Sequence, residues 1–451
     1  MQYKKLIAVA GIALAIVAIL EIALFRKQAR AGSHTDPRMS PAQMVTISGC
    51  LNSGQFQPVL NEFTNRTGIS VQYEEACDQD QIRACKDNND CPDIAILQTP
   101  GLLTELGEAG QLVDLSTFVN STVLSANYAD TWIDQGKVDG TLYGVWFNAG
   151  NKSLIWYDPT EFINHSWTTP TTWAETISLS DQIFNTAGTP PWSIGNESGH
   201  ASGWPLTDWF EDILLRSAGP EIYDDLVAHD IPWTHSEVIA AMTYFGDIFG
   251  NEDYQLGGKS GTLSTSFLDA IYPPFEDPPG AYLHHQGNWA QSVISDQFPT
   301  QTPGTDYAVF PFPDINPMYT NAVMGAGDIA IVFSNTADVQ SLINFLITTD
   351  AAEIWITKGG VSPNRNADTS LYADPNTLAL ADQLANADIF RFDLTDQLPS
   401  ELNEYVWSQM DDLVQAAPDP AAMKEVLARI EFMASHPYRI YLPITVSGSD
   451  S

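Results

Sequence analysis

A chain of 451 residues, 44% of them hydrophobic, has the material for two cores of ordinary size and is too long for one small one. Its 19 basic and 56 acidic side chains give a formal charge of −37, a field that repels nucleic-acid phosphates and anionic lipid headgroups. Partners of those classes are excluded, and a neutral or cationic small ligand fits.

The N-terminus stands apart from the rest. Lys4 and Lys5 precede an apolar run from Leu6 to Phe25 interrupted by Glu21, and Ala29-Arg30-Ala31 supplies a small-x-small site before Gly32. Residues 1–31 read as an export leader, placing the protein at the periplasmic or extracellular face of the cell membrane. The run is also long enough to span a bilayer, and Arg26, Lys27 and Arg30 behind it are unusual for a cleavage region. Cleavage as a signal peptide and retention as a membrane anchor both stay open. Without the leader, 14 basic residues face 55 acidic ones, for a net charge of −41. Ile47-Ser48-Gly49-Cys50 mimics a lipid-attachment box but lies too far beyond the apolar run.

From Met44 to Ser48 the chain reads as a strand. A helix follows to Asn65, with Phe56, Val59, Leu60 and Phe63 on one face and Pro58 in its first turn. Thr67-Gly68 closes it, Ile69 to Tyr73 alternates as a second strand, and Ile94 to Leu97 is a buried third. This β-α-β-α-β order predicts a parallel sheet with right-handed crossovers. Cys50, Cys77, Cys85 and Cys91 fall within 42 residues, which in an exported protein favours two disulfides. Their spacing matches no common zinc pattern, so no metal is expected. The expected pairs are Cys50–Cys77, whose members would end neighbouring strands, and Cys85–Cys91.

Beyond residue 157 the texture changes. Helices are predicted at Trp173 to Phe184, Leu206 to Ser217 and His235 to Phe249, with a loop rich in Gly, Ser and Trp from Pro190 to Pro205. Tyr272 to Pro279 reads as a rigid surface loop. Ala281 to His285 and Asp306 to Phe310 read as strands around a helix beginning near Trp289, and AVMGAGDIAIVF from Ala322 as another strand. Thr336 to Ile347 and Ala351 to Lys358 are helical, and the tail from Pro375 to Ala434 reads as almost entirely helical.

Eight stretches in order, EFTNRTGISVQYE, PDIAILQTPG, YGVWFNAGNKSLIWYDP, GWPLTDWFEDILLR, HHQGNWAQSVI, GAGDIAIVF, DAAEIWITKGGVSPNR and FRFDLTDQLP, carry a resemblance. The chain resembles the extracellular solute-binding proteins of ABC importers, in the sugar-binding family that includes maltose- and α-glucoside-binding proteins. The resemblance implies the two-lobed α/β periplasmic-binding-protein fold, each lobe a mostly parallel sheet flanked by helices, with the ligand in the cleft between lobes. Crossings are expected near residues 144–150, 302–320 and 358–362. The lobes are therefore discontinuous: 44–145 and 306–358 form the first, 146–305 and the helical 359–445 the second. The implied function is reversible capture of a neutral sugar, an α-linked di- or oligosaccharide, by a monomer that delivers it to membrane permease subunits. No catalysis and no cofactor are implied. The clustered cysteines depart from the general family pattern and read as a local brace.

A sugar offers C–H faces that stack on aromatic rings and a rim of hydroxyls that needs donors and acceptors. Twelve tryptophans make such a cleft feasible. Trp289, in Gln286-Gly287-Asn288-Trp289, matches the position where maltose-binding relatives place a stacking indole. Trp204 follows Ser202-Gly203 and is assigned to ligand with Asp208 as hydroxyl acceptor, while Trp209 and Trp173 are assigned to packing. Trp146 and Asn148 sit in the presumed first crossing. Gln55, in the loop after strand one, Glu75, ending strand two, and Gln98, after strand three, occupy the carboxyl ends of parallel strands, where open α/β folds hold ligands. Asp328 puts a carboxylate inside an apolar strand, which demands partners, and Arg365 has a fork suited to two hydroxyls. Asp393 and Asp396 read as turn and helix-cap residues, Asp396 capping the helix near Ser400, and stay off the list.

Competing readings are an exported glycosidase, since acids and tryptophans also build such sites, and a receptor for another polyol or a cationic solute such as a polyamine. No pair of acids demands a catalytic reading. A G-x-S-x-G elbow is absent, and the adjacent His284 and His285 would face opposite sides of a strand.

Overall fold

The structure is a computed structural model that describes residues 44–76, 79–385 and 387–436. The leader and Cys77 lie outside the described residues. Among the described residues the strands are β1 (Val45–Gly49), β2 (Val71–Glu75), β3 (Ile94–Leu97), β4 (Lys137–Val138), β5 (Thr141–Leu142), β6 (Gly144–Asn151), β7 (Leu154–Tyr157), β8 (His284–His285), β9 (Ala308–Pro311), β10 (Ala322–Val332) and β11 (Ile389–Phe392).

The first strands form as their pattern predicts. In the helix Ser53–Thr67, Phe56, Val59, Leu60 and Phe63 are buried, the Asn52 side chain accepts from the Gln55 amide, and Gly68 ends the helix at φ 76°, a left-handed cap that suits glycine. Pro58 lies in the second turn, not the first, because the helix starts at Ser53. β1 runs parallel to both β2 and β3, the expected crossover geometry. β10 then joins antiparallel to β3 and β6 and parallel to β11, giving a six-stranded sheet in the order β11-β10-β3-β1-β2 with β6 also on β10.

β10 runs from one core to the next. Ile329 to Val332 pack with Phe56, Leu60 and Ile94, whereas Ala322 and Met324 pack with Leu206, Trp209 and Phe210 of the helix Trp204–Ala218. β6 does the same on a smaller scale, with Trp146 and Phe147 in the first core and Ala149 beside Trp156 and Ile294 in a third. Two neighbouring strands thus bridge the lobes, flanking a space between them.

Four features differ from expectation. The smaller sheet, in the order β8-β7-β9, is antiparallel throughout. β9 pairs with β7, and the chain enters the large sheet at Ala322, later than the boundary expected at residue 306. The tail is interrupted by β11 between the helices Pro375–Ala385 and Ser400–Ala416. The proline-rich stretch near residue 273 is not purely a surface loop, since Pro274 and Phe275 are buried in short turns.

Cys85 and Cys91 form the expected disulfide, tying the helix Gln79–Asn88 to the segment before β3; Cys50 is also disulfide-bonded. Closing so short a loop removes about 2 kcal/mol of unfolded-state freedom. The Cys85→Ser, Cys91→Ser double variant is therefore expected to lower the denaturant-derived stability by about that amount, with a fluorescence-monitored urea titration as the check.

Candidate ligand-binding site

Between the lobes lies a cavity of about 460 Å³. Gln98 and Thr99 enter it from the carboxyl end of β3, where the parallel strands stop. The Thr99 hydroxyl donates to Gln79 Oε1 at 2.6 Å, which fixes a second amide at the rim. Gly101 lets this wall approach the opposite side, because a Cβ there would lie 2.2 Å from the Leu398 carbonyl.

The facing wall is aromatic. Trp204 and Phe267 stand 5.3 Å apart at 71°, Phe267 and Trp289 5.7 Å apart at 66°, and the two indoles 6.2 Å apart. Trp204 opens its helix and Trp289 precedes the helix Ala290–Gln297, so both rings project from helix starts. Gly203, at φ 120°, has no room for a Cβ, which would meet the Trp407 carbonyl at 2.2 Å; the Gly203 backbone thus packs directly on that of Trp407, another residue of the wall.

The floor is charged. Lys152, between β6 and β7, donates to Asp208 Oδ1 at 3.0 Å and to Asp393 Oδ2, and its ammonium lies 5.5 Å from the centre of the Trp204 ring. Burial opposes its charge, but Asp208, Asp393 and Asp396 together hold its pKa well above the ordinary lysine value. Burial also works against the Asp393 carboxylate, yet Lys152 and donors from Asp396 N (2.9 Å) and Thr395 Oγ1 (3.0 Å) keep its pKa low. Asp208 has fewer donors, and burial drives its pKa well up. Asp396 is pushed up to about 8 by burial and by the Asp393 charge. Behind them Glu211, raised by burial and by the neighbouring acids, accepts from the Leu394 and Thr395 amides. At neutral pH this floor offers both donating and accepting oxygens.

Of the residues expected from sequence, Trp204, Trp289 and Gln98 line the cavity. Asp208 lies beneath it, held by Lys152. Asn148 and Asp328 sit beside it, Asn148 Nδ2 donating to Asp328 Oδ2 at 2.7 Å. Trp146 is buried, stacked on Phe392 at 4.4 Å and edge-on to Trp132, because the absent side chain of Gly327 leaves room for the ring. Gln55 belongs to the first turn of a helix, not a loop. Glu75 is exposed at the end of β2 and accepts from the Ser53 amide at 2.8 Å, satisfying a free donor of the helix start. Arg365 donates to the Ser125 and Ala126 carbonyls, closing the helix Ser121–Asn127. Gln55, Glu75 and Arg365 do not line this cavity. Trp209 and Trp173 are buried in packing, as expected.

Sequence reasoning missed Lys152, Gln79, Phe267, Thr395 and Trp407, and misread Asp396. Glu105, not Asp396, caps the helix at Ser400, accepting from its amide at 2.8 Å and its hydroxyl at 2.7 Å. Asp393 does make the expected turn contact with the Asp396 amide, but it also faces the cavity. A signal existed for Lys152: a lysine in a crossing segment of a chain so poor in bases. His284 and His285 are buried with separate partners, the Ser193 carbonyl and Asp212. Among the described residues no cluster of His, Cys, Asp or Glu side chains is arranged to hold a metal ion.

The sequence profile of bacterial extracellular solute-binding proteins matches residues 52–353. The chain belongs to that family. It is 38% identical over 383 residues to an osmoprotective compounds-binding protein of Synechocystis sp., covering 83% of this chain and 89% of that one. An alpha-glucosides-binding periplasmic protein of Rhizobium meliloti is 33% identical, over 81% of this chain and 82% of its own. Among solved structures, the bacterial solute receptor AcbH superposes with a TM-score of 0.75 at 16% identity, covering 88% of this chain and 99% of that one. A chitin oligosaccharide binding protein gives 0.73, also at 16% identity, with 88% and 99% covered. The fold is the α/β periplasmic-binding-protein fold, and membership of this family makes the molecule a binding protein, not an enzyme.

Two consequences of the floor can be measured. Lys152→Met leaves Asp208 and Asp393 buried without their cation and is expected to destabilise the fold by about 3–5 kcal/mol at pH 7, read from urea unfolding. Asp396, with a folded pKa near 8 against an ordinary value near 4, binds a proton in the folded state that the unfolded chain has released. Its contribution is present below pH 4 and is lost as the pH rises towards 8. Asp396→Asn is therefore expected to flatten the fall in melting temperature between pH 4 and pH 8, followed by calorimetric scans.

Proposed function

We propose that this protein is the extracytoplasmic binding component of an ABC importer and captures a small neutral saccharide, an α-linked glucoside being the favoured class. The observation that carries the reading is the opposition of Trp204, Phe267 and Trp289 to a floor of Lys152, Asp393 and Asp396 within one cavity. Rings suit the C–H faces of a pyranose, and the floor suits its hydroxyls. The cavity volume lies in the lower half of the range of small-molecule sites, which favours a disaccharide over a longer chain. The α-glucoside class is supported by the relative named for those compounds.

In this reading the protein acts as a monomer. An open form admits the sugar, both lobes contribute contacts, and those contacts favour closure. The lobes meet at β6, β10 and the segment around residue 360. The closed form docks on a membrane permease driven by an intracellular ATPase, and residues 1–31 export the chain or anchor it beside that permease.

A second reading has its own support. The relative of higher identity is named for osmoprotective compounds, and around the cavity Asp208, Asp393, Asp396 and Glu211 outnumber Lys152. A cationic solute such as a polyamine would suit that surplus, and another polyol would suit the name of that relative.

Titration calorimetry with maltose, trehalose, sucrose and spermidine separates the readings: heat with a disaccharide supports the first, heat with spermidine alone the second. For the disaccharide that binds, Trp204→Ala and Trp289→Ala are each expected to weaken affinity by about 1–3 kcal/mol. Unchanged affinity in both variants, with normal melting curves, would remove the aromatic wall from the site and the proposal with it.

A further inference from the structure

Three segments, β6, β10 and the stretch around residue 360, meet in one hydrogen-bonded chain, with β10 standing where a crossing at residues 302–320 was expected. Asn148 on β6 donates through Nδ2 to Asp328 Oδ2 on β10 at 2.7 Å, and its Oδ1 accepts from Trp355 Nε1 at 3.0 Å. Trp355 Nε1 also lies 3.3 Å from the Val361 carbonyl in the third crossing, and that carbonyl accepts from the Ala149 amide at 2.9 Å. Gly360 is held against the indole so closely that a Cβ would fall 2.0 Å from it. The pairing of β6 with β10 shifts register between Asp328 and Ile329, so the carboxylate sits at the irregular point of the ladder, where strands bend. On the other side, Gln98 faces the same carboxyl group and also lines the cavity.

Asp328 is only 5% exposed, and its Oδ1 has no hydrogen-bond partner. A buried carboxylate oxygen without a donor is costly.

We propose that Asp328 is a positioning residue that couples occupation of the cleft to the angle between the lobes, through Gln98 on the ligand side and through Asn148, Trp355 and Val361 on the hinge side. The inference rests on the reading of the cavity as a saccharide site, but it assigns Asp328 and Asn148 to the hinge and not to the sugar. An occupant seated at Gln98 expels water from beside the carboxyl group, which disfavours its charged form. Burial already pushes its pKa up to about 6, against the Asn148 and Gln98 amides, so binding takes up a proton and is tighter at pH 6 than at pH 8. From β6 and the end of β3 the uncharged Asn148 and Gln98 face Asp328; from β2 the titratable Tyr73, its pKa raised mainly by burial and by Glu75, also feels its charge. Lys152, Asp393 and Asp396 titrate in the same cavity, so the coupling is read as a difference between two proteins that both retain them.

The test compares the wild type with Asp328→Asn by small-angle X-ray scattering of the ligand-free protein from pH 5 to pH 8, and by calorimetry with maltose, trehalose and sucrose in buffers of different ionisation enthalpy. Expected are a pH-dependent radius of gyration and proton uptake on binding in the wild type, both lost in the variant, with a change in affinity of about tenfold. Trp355→Phe cuts the link to Asn148 and Val361 but keeps the carboxyl group; it should retain proton uptake while altering the scattering profile, and it carries the test if Asp328→Asn does not fold. Wild-type scattering profiles in both variants, or undiminished proton uptake in Asp328→Asn, would overturn the coupling. If no sugar binds the wild type, the saccharide reading fails, and the ligand-free scattering still decides the hinge.

Discussion

Lys152 is the cation around which the inner face of the molecule is arranged. Its ammonium joins Asp208 of the helix Trp204–Ala218 to Asp393 just after β11 and lies against the Trp204 ring. Three elements distant in sequence are thereby held at one point. A buried ion pair is stabilising only if its remaining oxygens find donors, and Asp393 finds them in Thr395 and in the Asp396 amide. The turn that satisfies Asp393 also delivers Asp396 to the cavity, so the constraint on one buried charge shapes the floor of the site.

A second buried ion pair lies one to two turns further along the same face of that helix. Arg216 pairs with Asp212 and donates to the Ala322 carbonyl, while Asp212 also accepts from Ser153 and contacts His285 at 2.9 Å. The helix is thus fixed to the start of β10, to β7 and to β8. With it fixed, the indole at its N-terminus has a defined height above the cavity, and the Gly203 approach to Trp407 completes that wall. Rigidity here comes from polar contacts made across packed layers, which explains why nearly every residue of this helix is buried despite its charges.

The first lobe was legible because its signals are local. A stripe of Phe56, Val59, Leu60 and Phe63 at helical spacing, and a glycine closing the helix, need no distant partner to be read. β11, with four residues, is too short to show a period, and its existence depends on neighbours supplied by other parts of the chain. The same division runs through the site. Trp204 and Trp289 at helix starts and Gln98 after a strand follow from local sequence. Lys152, Asp393 and Asp396 do not, since the contacts that give them meaning span 56 and 241 residues. Arg365 and Glu75 were read as ligand groups because free side chains look alike in sequence, and only the structure shows them occupied with the open ends of helices.

The surplus of acids in the cleft is compatible with a neutral ligand once protonation is considered. Asp208, Asp396 and Glu211 all have raised pKa values, whereas Asp393 is kept ionised against Lys152. A protonated carboxyl group donates one hydrogen bond and accepts others, which matches a sugar hydroxyl that does the same. A cation would instead require one of these groups to release its proton on binding, so proton release at this floor would distinguish a cationic ligand from a neutral one. The charge of the whole chain is large and negative, but the protonation of a few buried groups sets the hydrogen-bonding character of the cavity floor.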